Sequence, residues 1–247
     1  MTPEEILTST RHRPWPLPAG PWVMFQCWRD LLFAHWALPA QALAPHIPPP
    51  LMLEQFDGSA WLGLTPFLID DLHARGIPPI PGLSRFPELN LRTYVRHRER
   101  SGIFFFSLDA ANAAAVLAAR ALYRLPYRNA AMTIDRDGEW IRYRSRRADG
   151  NAAFEGRYRP TGEEFEPQPG SLEQFLVERY AFHTVLRDGR VLSCDIHHPP
   201  WTLRVAEADI DLNTIPAAAG ILMPDTPTLL YFSARQDTLI WPPDISR

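Results

Sequence analysis

The sequence predicts an α+β fold, mainly antiparallel β, curled into a barrel and flanked by a few short helices. Three observations predict it. Short runs rich in β-branched and aromatic residues recur along the whole chain, several of them doubling back across Asp-Gly pairs at 57–58, 137–138 and 188–189. Twenty-six prolines punctuate the 247 residues, too many for a helical protein and suited to irregular connections between strands. Two segments carry helix start signals, and both are short.

Residues 1–21, with Pro14, Pro16, Pro18 and Pro21, read as an extended Pro-rich arm. Residues 22–247 read as one domain, since no repeat, linker or composition shift divides them. Trp22 to Trp36 reads as a long strand and Pro39 to His46 as a helical turn closed by Pro48-Pro49-Pro50. Met52 to Phe56 opens a hairpin over Asp57-Gly58. Ala60 to Ile69 is apolar on both faces, the mark of a buried strand, and Pro66 within it calls for a bulge or an edge. Leu89 to His97 alternates: Leu89, Leu91, Thr93 and Val95 take one face, and Glu88, Asn90, Arg92, Tyr94 and Arg96 the other. Ile103 to Leu108 is a strand, after which Asp109 is placed to cap an alanine-rich helix over roughly 110–123 that Pro126 stops. Its small side chains suit close packing on a sheet. Ala130 to Arg147 forms a hairpin and Ala152 to Arg159 a further strand. Ser171-Leu-Glu-Gln174 is a capping box opening a helix to Glu178. A hairpin over Tyr180–Leu186 and Val191–Ile196 follows, and strands at Thr202–Ala206 and Leu229–Ala234 close the chain.

Composition excludes several function classes. All 25 basic residues are arginine, and there is no lysine. A GC-rich genome accounts for the bias, but the chemical consequence holds regardless. Without an amine side chain no Schiff base to a carbonyl or to pyridoxal phosphate can form, and no P-loop of the usual kind exists. A net charge of −3 gives no electrostatic case for nucleic-acid binding. Cys27 and Cys194 make no disulfide framework and no zinc spacing. The acidic N-terminus lacks a signal-peptide core, and the least charged stretch, Leu31 to Leu53, holds five prolines and two histidines. The expectation is a cytoplasmic protein with no cofactor and no membrane partner, and the reading admits a homo-oligomer.

Three groups of residues could carry chemistry. Arg29 shares a strand face with Val23, Phe25, Cys27, Leu31, Phe33 and His35. A guanidinium in that company is either a structural ion pair or a bidentate clamp for a carboxylate or enolate. The row Glu88, Asn90, Arg92, Tyr94 is either a solvated sheet face or, if the sheet closes, a polar stripe inside a barrel. The eight histidines include no i, i+4 pair, and the adjacent His197 and His198 point to opposite faces of a strand. No metal site is expected from them. His35 is a hydrogen-bonded core histidine or a member of the Arg29 site.

Several motifs are distinctive: Cys-Trp-Arg-Asp-Leu-Leu-Phe-Ala-His-Trp at 27–36, Ala-Trp-Leu-Gly-Leu-Thr-Pro-Phe at 60–67 and Phe-Pro-Glu-Leu-Asn-Leu-Arg-Thr-Tyr-Val at 86–95. So are Phe-Phe-Ser-Leu-Asp-Ala at 105–110, Arg-Leu-Pro-Tyr at 124–127 and Phe-Leu-Val-Glu-Arg-Tyr at 175–180. Together they resemble the YqjF-like family, the DUF2071 proteins, over roughly residues 20–235. That family is more distantly similar to the acetoacetate decarboxylase-like superfamily. The resemblance implies a strongly curved antiparallel barrel or cone with an enclosed pocket. It aligns the decarboxylase pocket glutamate with Glu88 in Phe86-Pro87-Glu88-Leu89-Asn90, and its early-strand arginine, more weakly, with Arg29. The decarboxylase nucleophile is the first of two adjacent lysines; Tyr127 stands there, and Arg128 stands in the place of its cationic neighbour. Tyrosine cannot form an imine, so covalent decarboxylation through this position is excluded.

Three functions are consistent with that reading. The pocket binds a small, partly apolar carboxylate or carbonyl compound through Arg29, Arg128, Asn90 and His35, with Glu88 and Tyr127 fixing its orientation. Alternatively, Glu88 and Tyr127 act as catalytic acid and base in a non-covalent lyase, hydratase or isomerase on an oxo acid. Or the barrel is closed and the protein works through its surface.

Overall fold

Two turns of short helix and a run of coil precede the first strand. In the computed structural model, which describes residues 1–246, helix α1 (Pro3–Thr8) opens the chain. The N-terminal segment is therefore not extended throughout. Thr2 and Glu5 form a reciprocal capping box, a Thr-x-x-Glu signal in the sequence that the prolines downstream overshadow. Ile6 is fully buried against Phe25, Leu239 and Trp241, and the Arg13 guanidinium reaches Asp195 and the Ile196 carbonyl. This segment is packed on the body.

Strand β1 (Met24–Leu38) leads through α2 (Ala40–Leu43) and a 3-10 turn (Ala44–His46) to the short strands β2 (Met52–Leu53) and β3 (Gln55–Phe56). The long strands β4 (Ser59–Ala74), β5 (Phe86–His97) and β6 (Arg100–Ala110) follow, then α3 (Ala113–Tyr123). Three strands, β7 (Tyr127–Asp137), β8 (Trp140–Arg147) and β9 (Ala153–Phe165), precede α4 (Leu172–Val177). The hairpin of β10 (Ala181–Val185) and β11 (Val191–His197) comes next, then β12 (Leu203–Asn213), α5 (Ile215–Ala218), β13 (Leu229–Ile240) and β14 (Asp244–Ser246). The last long strands extend well beyond the apolar runs that signal them, because charged residues on β12 occupy the solvent side of its pairing with β9.

The predicted α+β barrel is what forms. β13, β1, β4, β5, β6, β10 and β11 pair in that order, and β11 pairs back to β13 through Ile196 with Ile240 and His197 with Leu239, closing a ring. Closure satisfies the edges that an open sheet would expose. The pairings are antiparallel except where β6 meets β10 and β7. β7, β8, β9 and β12 run from β6 back to β13 and cover the opposite face of the long strands. The wall of β1, β4 and β5 is thus buried on both faces. On one side Leu32, Trp36, Leu89, Leu91, Tyr143 and Tyr158 fill a solid core. The other side encloses the space described below.

Local predictions hold at Pro66 and shift at Asp109. Pro66 pairs with Leu89, while the β1 register slips between Arg29 and Ala34 on its other side, so the missing N–H falls where the ladder is interrupted. Asp109 does not cap α3. Strand β6 continues through Ala110, and Asn112 takes the cap, accepting from the Ala114 and Ala115 N–H groups at 3.1 Å each. Asp109 is instead fully buried, both carboxylate oxygens 2.9 Å from Arg147 Nε, with Arg147 also donating to Ser107. Ser171 caps α4 as predicted, but Gln174 reaches Gly170 rather than closing the box on Ser171.

The Asp109–Arg147 pair fastens β6 to the β7–β8 hairpin out of reach of water. Asp109→Ala should cost about 3–5 kcal/mol in urea denaturation, because it strands a buried guanidinium. Asp137→Ala, which breaks the exposed pair with Arg142, should cost less than about 1 kcal/mol. Equal costs would place Asp109 outside the role given it here.

Candidate functional site

The closed ring encloses a cavity of about 360 Å³. Its walls are mostly apolar and aromatic, with Trp28, Leu31, Phe33, Phe67, Phe105 and Trp201 among them. Polar atoms enter at few places: Gln26 and Thr65 from β1 and β4, Glu88, Asn90 and Arg92 from β5, and Tyr127 at the start of β7. Arg179 and His198 contribute from the segments flanking β10 and β11. The alternating row of β5 is therefore the polar stripe of a barrel interior, and its partner row, Leu89 and Leu91, packs into the solid core behind.

Glu88 and Tyr127 meet inside this space. The Tyr127 hydroxyl donates to Glu88 Oε2 at 2.9 Å, and Tyr143, from the core side, donates to the Glu88 carbonyl at 2.6 Å. Burial pushes the Glu88 carboxyl up to about 8, aided by the charge of Asp109, and the hydrogen bond from Tyr127 only partly offsets this. Burial and the neighbouring Glu88 likewise push the Tyr127 hydroxyl well above its ordinary range. At neutral pH the pair is thus two neutral donors in an apolar setting.

Arg92 lies deeper. Its guanidinium sits over the rings of Phe33 at 5.3 Å and Tyr94 at 5.9 Å, with Nη2 at 3.5 Å from the Leu176 carbonyl. Among the described residues it has no ion-pair partner within 4.0 Å, whereas the adjacent Arg179 pairs with Glu54 at 2.5 Å. Four buried polar atoms on the cavity lining lack hydrogen-bond partners: Thr65 Oγ1, Asn90 Oδ1, Arg92 Nε and Trp201 Nε1. Buried polar groups are satisfied as a rule, and these four atoms are exceptions to it on the cavity lining.

Two predicted ligand contacts move out of the cavity, and one moves behind its wall. Asp30 has a left-handed φ of 54°, and the register of β1 against β4 shifts there. Gln26 and Trp28 face inward before this bulge, and Leu31 and Phe33 after it. The alternation therefore changes phase, and Arg29 falls on the outer face, 42% exposed and 2.8 Å from Asp70. Arg128 follows Tyr127 on β7, points the other way and is exposed. His35 is fully buried behind the lining. Its Nε2 bonds the Tyr94 hydroxyl at 2.7 Å, and burial together with the neighbouring Arg92 keeps it neutral. Gly63 explains the fit, since a Cβ there would sit 3.2 Å from the His35 ring and 3.3 Å from Arg92 Cγ. His35 thus braces Tyr94, against which Arg92 lies.

The alanine face of α3 does not pack on the sheet as the sequence suggests. Ala115, Ala118, Ala119 and Leu122 line the cavity, with Leu122 63% exposed and Leu117 71% exposed on the outside. The exposed Ala74 at the end of β4 lines it as well, so the cavity meets the surface between α3 and the β1–β4 ends. The two C-terminal histidines diverge as adjacent strand residues must: His198 lines the cavity, and His197 bonds the Ile6 carbonyl at 3.0 Å. No group of three or more His, Cys, Asp or Glu among the described residues is arranged to hold a metal. No helix among them is long and apolar enough to cross a membrane.

Residues 25–237 match the family model for DUF2071, uncharacterized conserved proteins. The chain belongs to that family. It is 44% identical over 227 residues to the uncharacterized protein YqjF of Bacillus subtilis, covering 92% of this chain and 93% of that one. Beyond the DUF2071 proteins, the fold is that of the acetoacetate decarboxylases. An acetoacetate decarboxylase from Legionella pneumophila superposes with a TM-score of 0.62 at 12% identity, over 98% of this chain and 95% of that one. The enduracididine biosynthesis enzyme MppR, with HEPES buffer bound, superposes with a TM-score of 0.65 at 11% identity, over 92% and 88% of the two chains.

The Glu88 environment sets a pH dependence with a definite sign. Its carboxyl titrates near 4.5 when exposed and near 8 when folded, so the folded protein keeps a proton that the unfolded chain releases. Stability should fall as pH rises from about 4.5 to about 8 on this account and be indifferent to the group outside that window. Melting temperatures from pH 5 to 9 should show Glu88→Gln gaining on the parent protein as pH rises. A constant difference across that range would show that Glu88 is not held protonated.

Proposed function

We propose that this DUF2071 protein binds a small, partly apolar carboxylate with a carbonyl group, and that Arg92 receives the carboxylate. The observation that carries this is the buried guanidinium of Arg92, without an ion pair and flanked by the unsatisfied atoms of Asn90, Thr65 and Trp201. A bare buried cation is costly, and a bidentate anion is the partner its geometry suits. Glu88, protonated at neutral pH and held in place by the Tyr127 hydroxyl, would donate a hydrogen bond to the carbonyl oxygen. The fold neighbour MppR has been captured with pyruvate, a compound of the same chemical class.

Trp28 and Trp201 line the cavity and serve as reporters of occupancy. Titrating 4-oxopentanoate should quench their fluorescence, and Arg92→Met should weaken binding roughly 10- to 100-fold, the range for losing a charge-assisted hydrogen bond. Arg29→Ala and Arg128→Ala should leave affinity within about twofold, since both lie outside the cavity. Undiminished binding by Arg92→Met would overturn this assignment.

A second reading rests on the Glu88–Tyr127 contact itself. A carboxylic acid held near 8 and bonded to a phenol is a proton-transfer pair suited to enolate chemistry at neutral pH. In that case the bound oxo acid is also turned over, as by a lyase, hydratase or isomerase, without a covalent imine. Glu88→Gln should then abolish turnover while the protein stays folded and still binds acid. Activity that survives the substitution would leave only the binding function.

A further inference from the structure

The two polar parts of the cavity lie apart along one strand. Glu88 and Arg92 are four residues apart on β5, about 13 Å of extended backbone. Their side chains do not converge. Arg92 leans onward to Tyr94 and Leu176, while Glu88 turns to Tyr127. Most of the lining around them is hydrocarbon, supplied by Leu31, Phe33, Phe67 and Phe105, with Asn90 and its strand partner Thr65 placing two polar atoms midway. Glu88 pairs with Ala110, just before α3 and the opening, and Arg92 lies four residues farther along β5 from that end.

We infer that the cavity is built for an elongated, two-headed ligand: a monocarboxylate seated on Arg92, with a carbonyl oxygen several methylenes away at Glu88 and Tyr127. This rests on the binding reading above and sharpens it into a chain length. Subtracting about 3 Å of hydrogen bond at each end leaves about 7 Å between the ligand's polar groups. A C–C bond of about 1.5 Å advances about 1.3 Å along an extended zigzag, so that distance spans about five to six bonds, a chain of roughly six to eight carbons with its end group. A three-carbon oxo acid reaches one end or the other but not both, and leaves the apolar wall uncovered. The ligand enters carboxylate first past α3, so that its carbonyl comes to rest nearest the opening.

The test is a length series on the full-length protein, read by calorimetry and by tryptophan quenching. The acids are pyruvate, 4-oxopentanoate, 5-oxohexanoate, 7-oxooctanoate and 9-oxodecanoate, with octanoate as the analogue lacking the distal carbonyl. Affinity should rise about three- to fourfold for each methylene added up to the eight-carbon acid and then level off or fall. 7-Oxooctanoate should bind about tenfold more tightly than octanoate. Tyr127→Phe, which removes the hydroxyl that holds Glu88, should shrink that preference to within about twofold. Pyruvate or 4-oxopentanoate binding as tightly as 7-oxooctanoate, with the Arg92→Met loss intact, would overturn the two-headed assignment and leave the carboxylate site standing. No binding by any acid in the series would overturn both.

Discussion

The structure depends on a wall of strands buried on both faces. β1, β4 and β5 have a packed core behind them and a cavity in front, so each of their residues must suit one of two desolvated environments. Strand β5 shows the constraint most plainly. Its odd positions, Leu89 and Leu91, fill the core, and its even positions, Glu88, Asn90 and Arg92, supply the polar atoms of the cavity. Slipping β5 by one residue would drive a carboxylate and a guanidinium into a space packed with Trp36, Tyr143 and Tyr158. The same pairing that stabilises the fold therefore fixes where the site can be.

Within that frame the cavity separates two kinds of polar chemistry. Near the opening, low dielectric and the absence of a partner cation keep Glu88 protonated against Tyr127. Farther along β5, Arg92 remains without an ion pair while the carboxylate of Glu54 is bonded to Arg179. His35, Tyr94 and Gly63 hold Arg92 in position from behind the lining. The chain has no lysine, so no side-chain amine stands in the cavity, and the Tyr127 hydroxyl bonds Glu88 there.

Where sequence patterns run unbroken, they read correctly. The β5 alternation, the three Asp-Gly hairpins and the interruption at Pro66 all follow local rules of period and turn chemistry. Arg29 fails for a specific reason. A period-2 argument assumes a continuous strand, and the single left-handed residue at Asp30 inverts the faces of everything before it relative to everything after. Asp109 fails differently: as a helix cap it is a good local choice, but the distant Arg147 offers a stronger partner in the core. Arg92 was legible as a member of the polar row. That it, rather than Arg29 or Arg128, is the unpaired cation was not, because pairing depends on which elements close over it.

The sequence by itself determined the fold class, the run of strands and hairpins, the family resemblance, the pairing of Glu88 with Tyr127 as the residues to watch, and the exclusion of imine chemistry. The fold class, the strands and hairpins and the exclusion of imine chemistry rest on side-chain period, turn preference and residue inventory, all of which are local or compositional, while Glu88 and Tyr127 were paired through the family resemblance. Only the tertiary structure decided which face of β5 meets a cavity, that Arg29 and Arg128 lie outside it, and that Arg92 is left without an ion pair. Those outcomes depend on ring closure between β11 and β13 and on one bulge in β1. Both set the orientation of residues far removed in sequence, and neither leaves a mark that a local pattern can register.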